Sequence, residues 1–349
     1  MGKHGAATGY AMVFVAALMW GSIGLFVKGI SATGVSSQTM AAFRLLAGAV
    51  LLAPTLAIMG CRGSTNSTAI SGPLALFKVS PRSLVPCALV GIVGLAISNA
   101  CYYECISEVG LSTASVLLYT SPVFGCMLGR ILYAERVAPR KLVAIAFNIV
   151  GCALAVTNGD LTGFHFSVKG IALGVIAGLC GALLAVFSRI ATSRMHPLSV
   201  TFWGFVFGGV FMGVLSAPWQ DLALALSPTL IALFAGFGLI PTALAYTFYM
   251  QGLSKGLETS KVPVIASVET VVTVLMGIGF YAEPAGAAKV LGILLVLGSI
   301  VIMNADISHM RQSAFADHVA ESFGFIPNQW WGAKADEMDA LFEPWYFVR

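Results

Sequence analysis

Charge is what this sequence has least of. Only 10% of its 349 residues are Asp, Glu, Lys or Arg, against about 25% in a soluble domain. That scarcity excludes a soluble enzyme with a large core. Histidine is scarce too: there are five, His4, His165, His196, His309 and His318, all outside or at the ends of apolar stretches. No His-Glu-x-x-His, Cys-x-x-Cys or Gly-x-x-x-x-Gly-Lys-Ser/Thr occurs, so the chain offers no zinc pair, no dithiol and no ATP-driven motor. No cofactor and no metal are expected. The net charge of +4 is scattered over short loops, which is not the footprint of a nucleic-acid binder. Cys61 falls in a loop. Cys87, Cys101, Cys105, Cys126, Cys152 and Cys180 fall in apolar stretches and read as small buried apolar residues.

What the chain has in abundance is long apolar runs, with 58% hydrophobic residues. A helix needs about 20 apolar residues to cross a bilayer core. Breaks at charge, Gly and Pro clusters give ten such segments, near 9–28, 37–59, 84–105, 111–133, 139–157, 168–190, 197–217, 228–250, 259–281 and 285–305. The first is too long for a signal peptide and lacks a clear cleavage site, so it reads as a span. With a cytoplasmic N-terminus, all but four of the 19 Lys and Arg lie on the cytoplasmic side. The four are Lys28, Arg44, Lys169 and Lys289. The positive-inside rule then predicts a multi-pass protein of the cell (plasma or inner) membrane with both termini cytoplasmic.

The chain also repeats itself. "YAMVFVAALMWGSIGLFVK" (10–28) aligns with "IALGVIAGLCGALLAVFSR" (171–189), pairing Phe26 with Phe187 and Lys28 with Arg189. "PVFGCMLGRILYAE" (122–135) aligns with "TVVTVLMGIGFYAE" (270–283), pairing Gly129 with Gly277 and Glu135 with Glu283. The first half holds five spans, and an odd number turns the second half upside down. Inverted repeats are a secondary-transporter architecture, with the site near the bilayer midplane between the repeats. The predicted fold is an all-α integral membrane protein of ten transmembrane helices, arranged as two inverted five-helix repeats.

Two stretches carry a resemblance. "YYECISEVGLSTASVLLYTSPVF" (102–124) with "YAERV" (133–137) resembles the third-to-fourth-span signature of the EamA family, in the drug/metabolite transporter superfamily. "YTFYMQGLSKGLETSKVPVIASVETVV" (246–272) with "YAE" (281–283) resembles its second-half counterpart. The resemblance implies one repeat at 8–157, a second at 168–305, and ten-helix carriers that move small metabolites, often outward. Two departures stand out. The family's Glu-Pro is Glu269-Thr270 here, which predicts a less broken helix. Residues 306–349, rich in aromatics and acids, exceed the usual short tail and are expected to be cytoplasmic.

Ionisable residues within spans are functional candidates, because a charge at a helix centre costs roughly 2.5–3.5 kcal/mol on insertion scales. Arg44, Glu104 and Glu269 qualify. Depth puts Glu269 near midplane, Glu104 about one turn from the outer end of its span, and slightly favours Glu104 as the partner of Arg44. Glu269, with Glu104 second, is the candidate for proton coupling. A structural ion pair for Arg44, a solvated Glu104 and a hydrogen-bonded packing role for Glu269 are the bland alternatives. Trp20, Ser22, Asn99, Tyr102, Tyr103, Tyr119, Trp203 and Tyr246 are candidate pathway residues with Arg44 and Glu269. Pro122, Pro241 and Pro263 are candidate helix breaks. Glu135 and Glu283 end spans and suit helix-end or gating roles.

The expected function is a secondary transporter in the lipid bilayer. It would move a small amino-acid-like or amphipathic solute outward by alternating access, with coupling to protons open. A membrane sensor or scaffold using the tail is one alternative. An intramembrane enzyme is another, but it would need a catalytic pair at one depth, and the sequence shows none.

Overall fold

A computed structural model describes residues 3–61, 76–135, 137–160, 167–216, 227–281 and 285–304. The expectations for Glu283 and for the tail at 306–349 lie outside these residues. The described residues hold helices and no strand. Ten helical spans are long and apolar enough to cross a membrane. Spans 1 to 5 are Gly5–Ser31, Ser37–Met59, Ser83–Gly110, Thr113–Tyr133 and Pro139–Thr157. Spans 6 to 10 are Val168–Thr192, Pro197–Ser216, Pro228–Leu253, Val262–Phe280 and Ala287–Asn304.

The two halves share their irregularities as well as their span count. Gly110 (φ 80°) turns the chain from span 3 into span 4, and Gly256 (φ 68°) follows span 8 at the matching place. Both occupy the left-handed region that only glycine enters at no steric cost. Span 3 is π-helical over Val90–Ile97 and span 8 over Leu239–Leu244. An offset of 148 carries Gly91–Ala96 onto the second segment. Span 4 is interrupted between Leu118 and Ser121, and span 9 at Ser267. The interruptions have local causes. Thr120 Oγ1 donates to the Leu117 carbonyl at 2.6 Å, and Pro122 then occupies the first turn of the next helix, where its missing N–H is harmless. Pro263 does the same at the start of span 9. Pro241 sits inside the second π-helical segment.

Packing follows the same pseudo-symmetry. Span 1 packs on span 8 as span 6 packs on span 3, span 2 meets span 8 as span 7 meets span 3, and span 9 meets span 1 as span 4 meets span 6. Spans 2 and 7 pair, as do spans 5 and 10. Five spans per half make this relation an inverted one. Small residues allow the closest approach, as is usual where lipid supplies no hydrophobic drive between helices. A methyl group on Gly292 of span 10 would sit 2.6 Å from the Gly151 carbonyl of span 5.

Candidate functional site

Span 9 breaks directly before Glu269. The helix Val262–Ala266 ends, and the Thr270 amide donates to the Ser267 carbonyl at 3.0 Å, a tightened turn. A new helix, Val268–Tyr281, carries Glu269 in its first turn. The less broken helix expected from the missing proline is therefore corrected: serine makes the break. Ser267 Oγ donates to the Val264 carbonyl at 2.6 Å. Asn148 of span 5 donates to Ser267 Oγ and to Ser299 Oγ of span 10. In the first turn of its segment, the Glu269 carboxylate meets the positive end of the helix dipole.

Groups from five other spans lie within reach of its field. Glu269 interacts electrostatically with Arg44 (span 2), Tyr102 (span 3), Tyr119 (span 4), Cys152 (span 5) and Tyr246 (span 8). Arg44 is buried, with its guanidinium 5.3 Å from the Phe237 ring centre, and its field reaches Tyr103 and Tyr246. Among the described residues, neither Arg44 nor Glu269 makes an ion pair or hydrogen bond, and Arg44 Nε is buried without a partner. Glu269, Tyr102, Tyr103 and Tyr119 are half-buried rather than sealed.

Trp20 closes one side. It is buried, its Nε1 has no partner, and its ring lies 5.0 Å from Tyr246 and 5.2 Å from Tyr249. Span 1 breaks just after it. Ser22 Oγ donates to the Met19 carbonyl at 2.7 Å, and the Gly21 carbonyl accepts from Thr273 Oγ1 of span 9 at 3.3 Å. A side chain on Gly21 would collide with Val272. The break of span 1 thus packs against the first turns of the span 9 helix that carries Glu269.

The remaining candidates separate. Asn99 Nδ2 donates to the Leu95 carbonyl at 2.6 Å, and Tyr102 and Ser115 share a hydrogen bond of 2.9 Å. Trp203 stands apart from the ring, donating to the Phe77 carbonyl at 3.3 Å and packing on Phe202 and Phe207. Glu104 is not the partner of Arg44. It pairs with Lys169 at 2.9 Å, as does Glu108, in a cluster where Lys169 is 60% exposed. Depth along the helix favoured Glu104 because it carries no information on which way span 3 is rotated. A hollow of about 300 Å³ beside Glu104 is lined by Gln38, Ala100, Cys101, Leu173, Met212 and Leu215. Tyr103 packs with Ala100 and Met212, two residues that line this hollow, and feels the field of Arg44.

At the other end, Glu135 is at the centre of a network the sequence did not reveal. Its Oε1 accepts from the Thr259 amide at 2.6 Å and lies 3.3 Å from Arg189 Nη1. Its Oε2 accepts from the Ser260 amide at 3.0 Å and from Ser260 Oγ at 2.7 Å. Arg189 stacks over Tyr133 at 3.8 Å. Nearby, Glu258 pairs with Lys141 at 2.8 Å and Lys261 at 2.7 Å. Burial pushes the Glu258 carboxyl up, but the two ammonium groups prevail and hold it below the usual carboxylate range. Asn148, Ser267, Lys141, Glu258 and Arg189 were all missed as site residues. The first of these left a signal, a lone amide in an apolar span.

Comparison with known proteins agrees with this architecture. The sequence model of the EamA-like transporter family matches residues 7–157 and 168–305. An uncharacterized transporter of Archaeoglobus fulgidus is 26% identical over 216 residues, covering 60% of this chain and 75% of the relative. An uncharacterized inner membrane transporter of Salmonella typhimurium is 23% identical over 311 residues, covering 88% and 98%. A pseudopaline exporter of Pseudomonas aeruginosa is 28% identical over 127 residues, covering 35% and 42%. One solved crystal structure superposes with a TM-score of 0.69 at 16% identity, over 88% of this chain and 99% of the other. The ten spans and the family-model match over both halves show that the chain is a multi-pass membrane transporter belonging to the EamA-like transporter family.

Proposed function

We propose that the protein exports a small, amino-acid-like or amphipathic solute by alternating access, with Glu269 as the group that couples transport to protons. The observation that carries this reading is the pair Arg44 and Glu269. They are opposite charges among tyrosines in the middle of the bundle, and neither makes an ion pair or hydrogen bond among the described residues. Groups left unpaired at such depth are costly, and a solute bearing both an anionic and a cationic group would satisfy them together. Trp20 and the tyrosines supply the apolar and π surfaces that a small-molecule site needs. The similarity to a pseudopaline exporter supports export.

In this reading the residues at 8–157 and 168–305 move against each other. The Glu135 network closes the side that the basic residues mark as cytoplasmic. The hollow beside Glu104, with Tyr103 beneath it, is the route from the opposite side. Pro122, Pro263 and the π-helical segments allow the inner ends of spans 3, 4, 8 and 9 to bend.

Comparing metabolites inside and outside cells with and without the gene identifies the solute. With that solute in proteoliposomes, Glu269→Gln is expected to abolish flux driven by a pH gradient and to leave counterflow exchange intact. Driven flux that persists unchanged in the variant rejects the coupling role.

A further inference from the structure

Spans 4 and 5 share a buried cluster, Cys126 with Ala144 and Ile145, but leave an open edge between them. The lower helix of span 4, Ser121–Tyr133, packs on span 6 and on the start of span 9, whereas span 5 packs chiefly on span 10. Between them runs an open groove of about 310 Å³. Val123, Met127 and Ile131 line it from span 4, and Leu142 and Ile145 from span 5. Its single charged lining residue is Arg130, in the last turn of the span 4 helix. Arg130 makes no hydrogen bond or ion pair among the described residues. The opposite face of the same helix is fully engaged: Gly125 lies against Pro263, and Gly129 against Glu135 and Ser260.

A groove of this composition, open to the bilayer, holds hydrocarbon rather than water. The arginine at its end needs an anion. Arg140, in the first turn of span 5, adds positive charge at the same end. An acyl chain with a negatively charged headgroup fits both requirements. Basic pockets between spans on the cytoplasmic side are suited to such headgroups. A solute from water would meet only apolar walls here, and the groove has no contact with Arg44 or Glu269, so it is not part of the transport site. We propose that the groove between spans 4 and 5 is a binding site for one anionic phospholipid of the leaflet on the Arg130 side. An acyl chain lies along Val123, Met127, Leu142 and Ile145, and the phosphate is held by Arg130. Bound there, the lipid braces the helix that carries the Glu135 network at its end.

Native mass spectrometry of the full chain tests this. The purified protein is stripped of lipid and titrated with phosphatidylglycerol, with phosphatidylcholine, and with glycerol 3-phosphate, which has the headgroup chemistry but no chains. The expected result is one tightly retained phosphatidylglycerol and no retained glycerol 3-phosphate. Arg130→Gln weakens phosphatidylglycerol about five-fold, the effect of one basic side chain at an anionic surface, and leaves phosphatidylcholine unchanged. Leu142→Trp fills the groove and weakens both lipids. Arg194→Gln, on the same side but away from the groove, changes neither. Equal retention in the wild type, Arg130→Gln and Leu142→Trp overturns the proposal, as does binding of glycerol 3-phosphate as tight as that of the lipid. A second measurement needs no variant. Phosphatidylglycerol with a photoreactive acyl chain should crosslink to the wild type within residues 123–145 above the level at other lipid-facing helices. Uniform crosslinking overturns the proposal.

Discussion

Glu135 and Ser260 are 125 residues apart in the chain and share two hydrogen bonds, from the Ser260 amide at 3.0 Å and from its hydroxyl at 2.7 Å, both to Glu135 Oε2. The contact joins the end of span 4 to the segment before span 9, so it binds one half of the molecule to the other. Glu135→Gln keeps the shape but loses the charge that strengthens four contacts. A hydrogen bond to a charged group contributes about 1.5–3 kcal/mol. Amide exchange at Thr259 and Ser260 should therefore accelerate about 10–100-fold, read by hydrogen–deuterium exchange. Unchanged protection would show that the network does not hold the two halves together.

The Lys141–Glu258–Lys261 cluster predicts a pH dependence. The Glu258 carboxyl is held below its ordinary value, so its contribution is fully present above the unfolded carboxylate pKa, about 4.3. It is lost as pH falls through the lower, folded value. Thermal melts of wild type and Glu258→Gln should differ by a constant amount from pH 6 to 8 and converge below about pH 4. Parallel curves across the acid range would mean that Glu258 is not held by its lysines.

Arg44 is buried, with Nε unpartnered. If its guanidinium receives the solute's anionic group, Arg44→Gln should raise KM for export about 10–100-fold, the worth of a charge-assisted hydrogen bond. Arg44→Lys should restore little, because an ammonium lacks the planar fork. A KM that does not move, with folding intact, assigns Arg44 to packing alone.

Gly21 has no room for a side chain, since a methyl group there would overlap Val272. Gly21→Ala should push the break of span 1 away from the Val268–Tyr281 helix at a cost of about 1–3 kcal/mol, seen as a lower melting temperature. Gly213 meets nothing within 4 Å, and Gly213→Ala serves as the neutral comparison.

Much of the fold was legible because it rests on quantities a sequence carries directly. Span lengths follow from apolar runs, and the repeat follows from paired motifs such as "YAE" at 133–135 and 281–283. The site was legible only in part. Glu269, Tyr102, Tyr119 and Tyr246 were named because they are polar or amphipathic residues deep within spans. Glu104, favoured by depth as the partner of Arg44, pairs with Lys169 instead, since depth fixes height along a span but not the rotation of the helix around its axis. The break at Ser267 was misread because proline is an obvious interrupter, whereas a serine needs Asn148 from another span to hold the turn. The Glu135 network depends on backbone amides of Thr259 and Ser260, which no side-chain pattern announces.

The interleaved packing of the two halves also governs how the chain is made. Span 2 enters the bilayer with Arg44 on it, and the groups that surround that arginine lie in spans 3, 8 and 9. Glu269 is synthesised 225 residues later, a delay of about 10–45 s at ordinary elongation rates. Through that interval the Arg44 guanidinium lacks the carboxyl group that its field reaches in the folded bundle. The nascent first half must therefore be sheltered, by water, lipid headgroups or the insertion machinery, until the second half arrives.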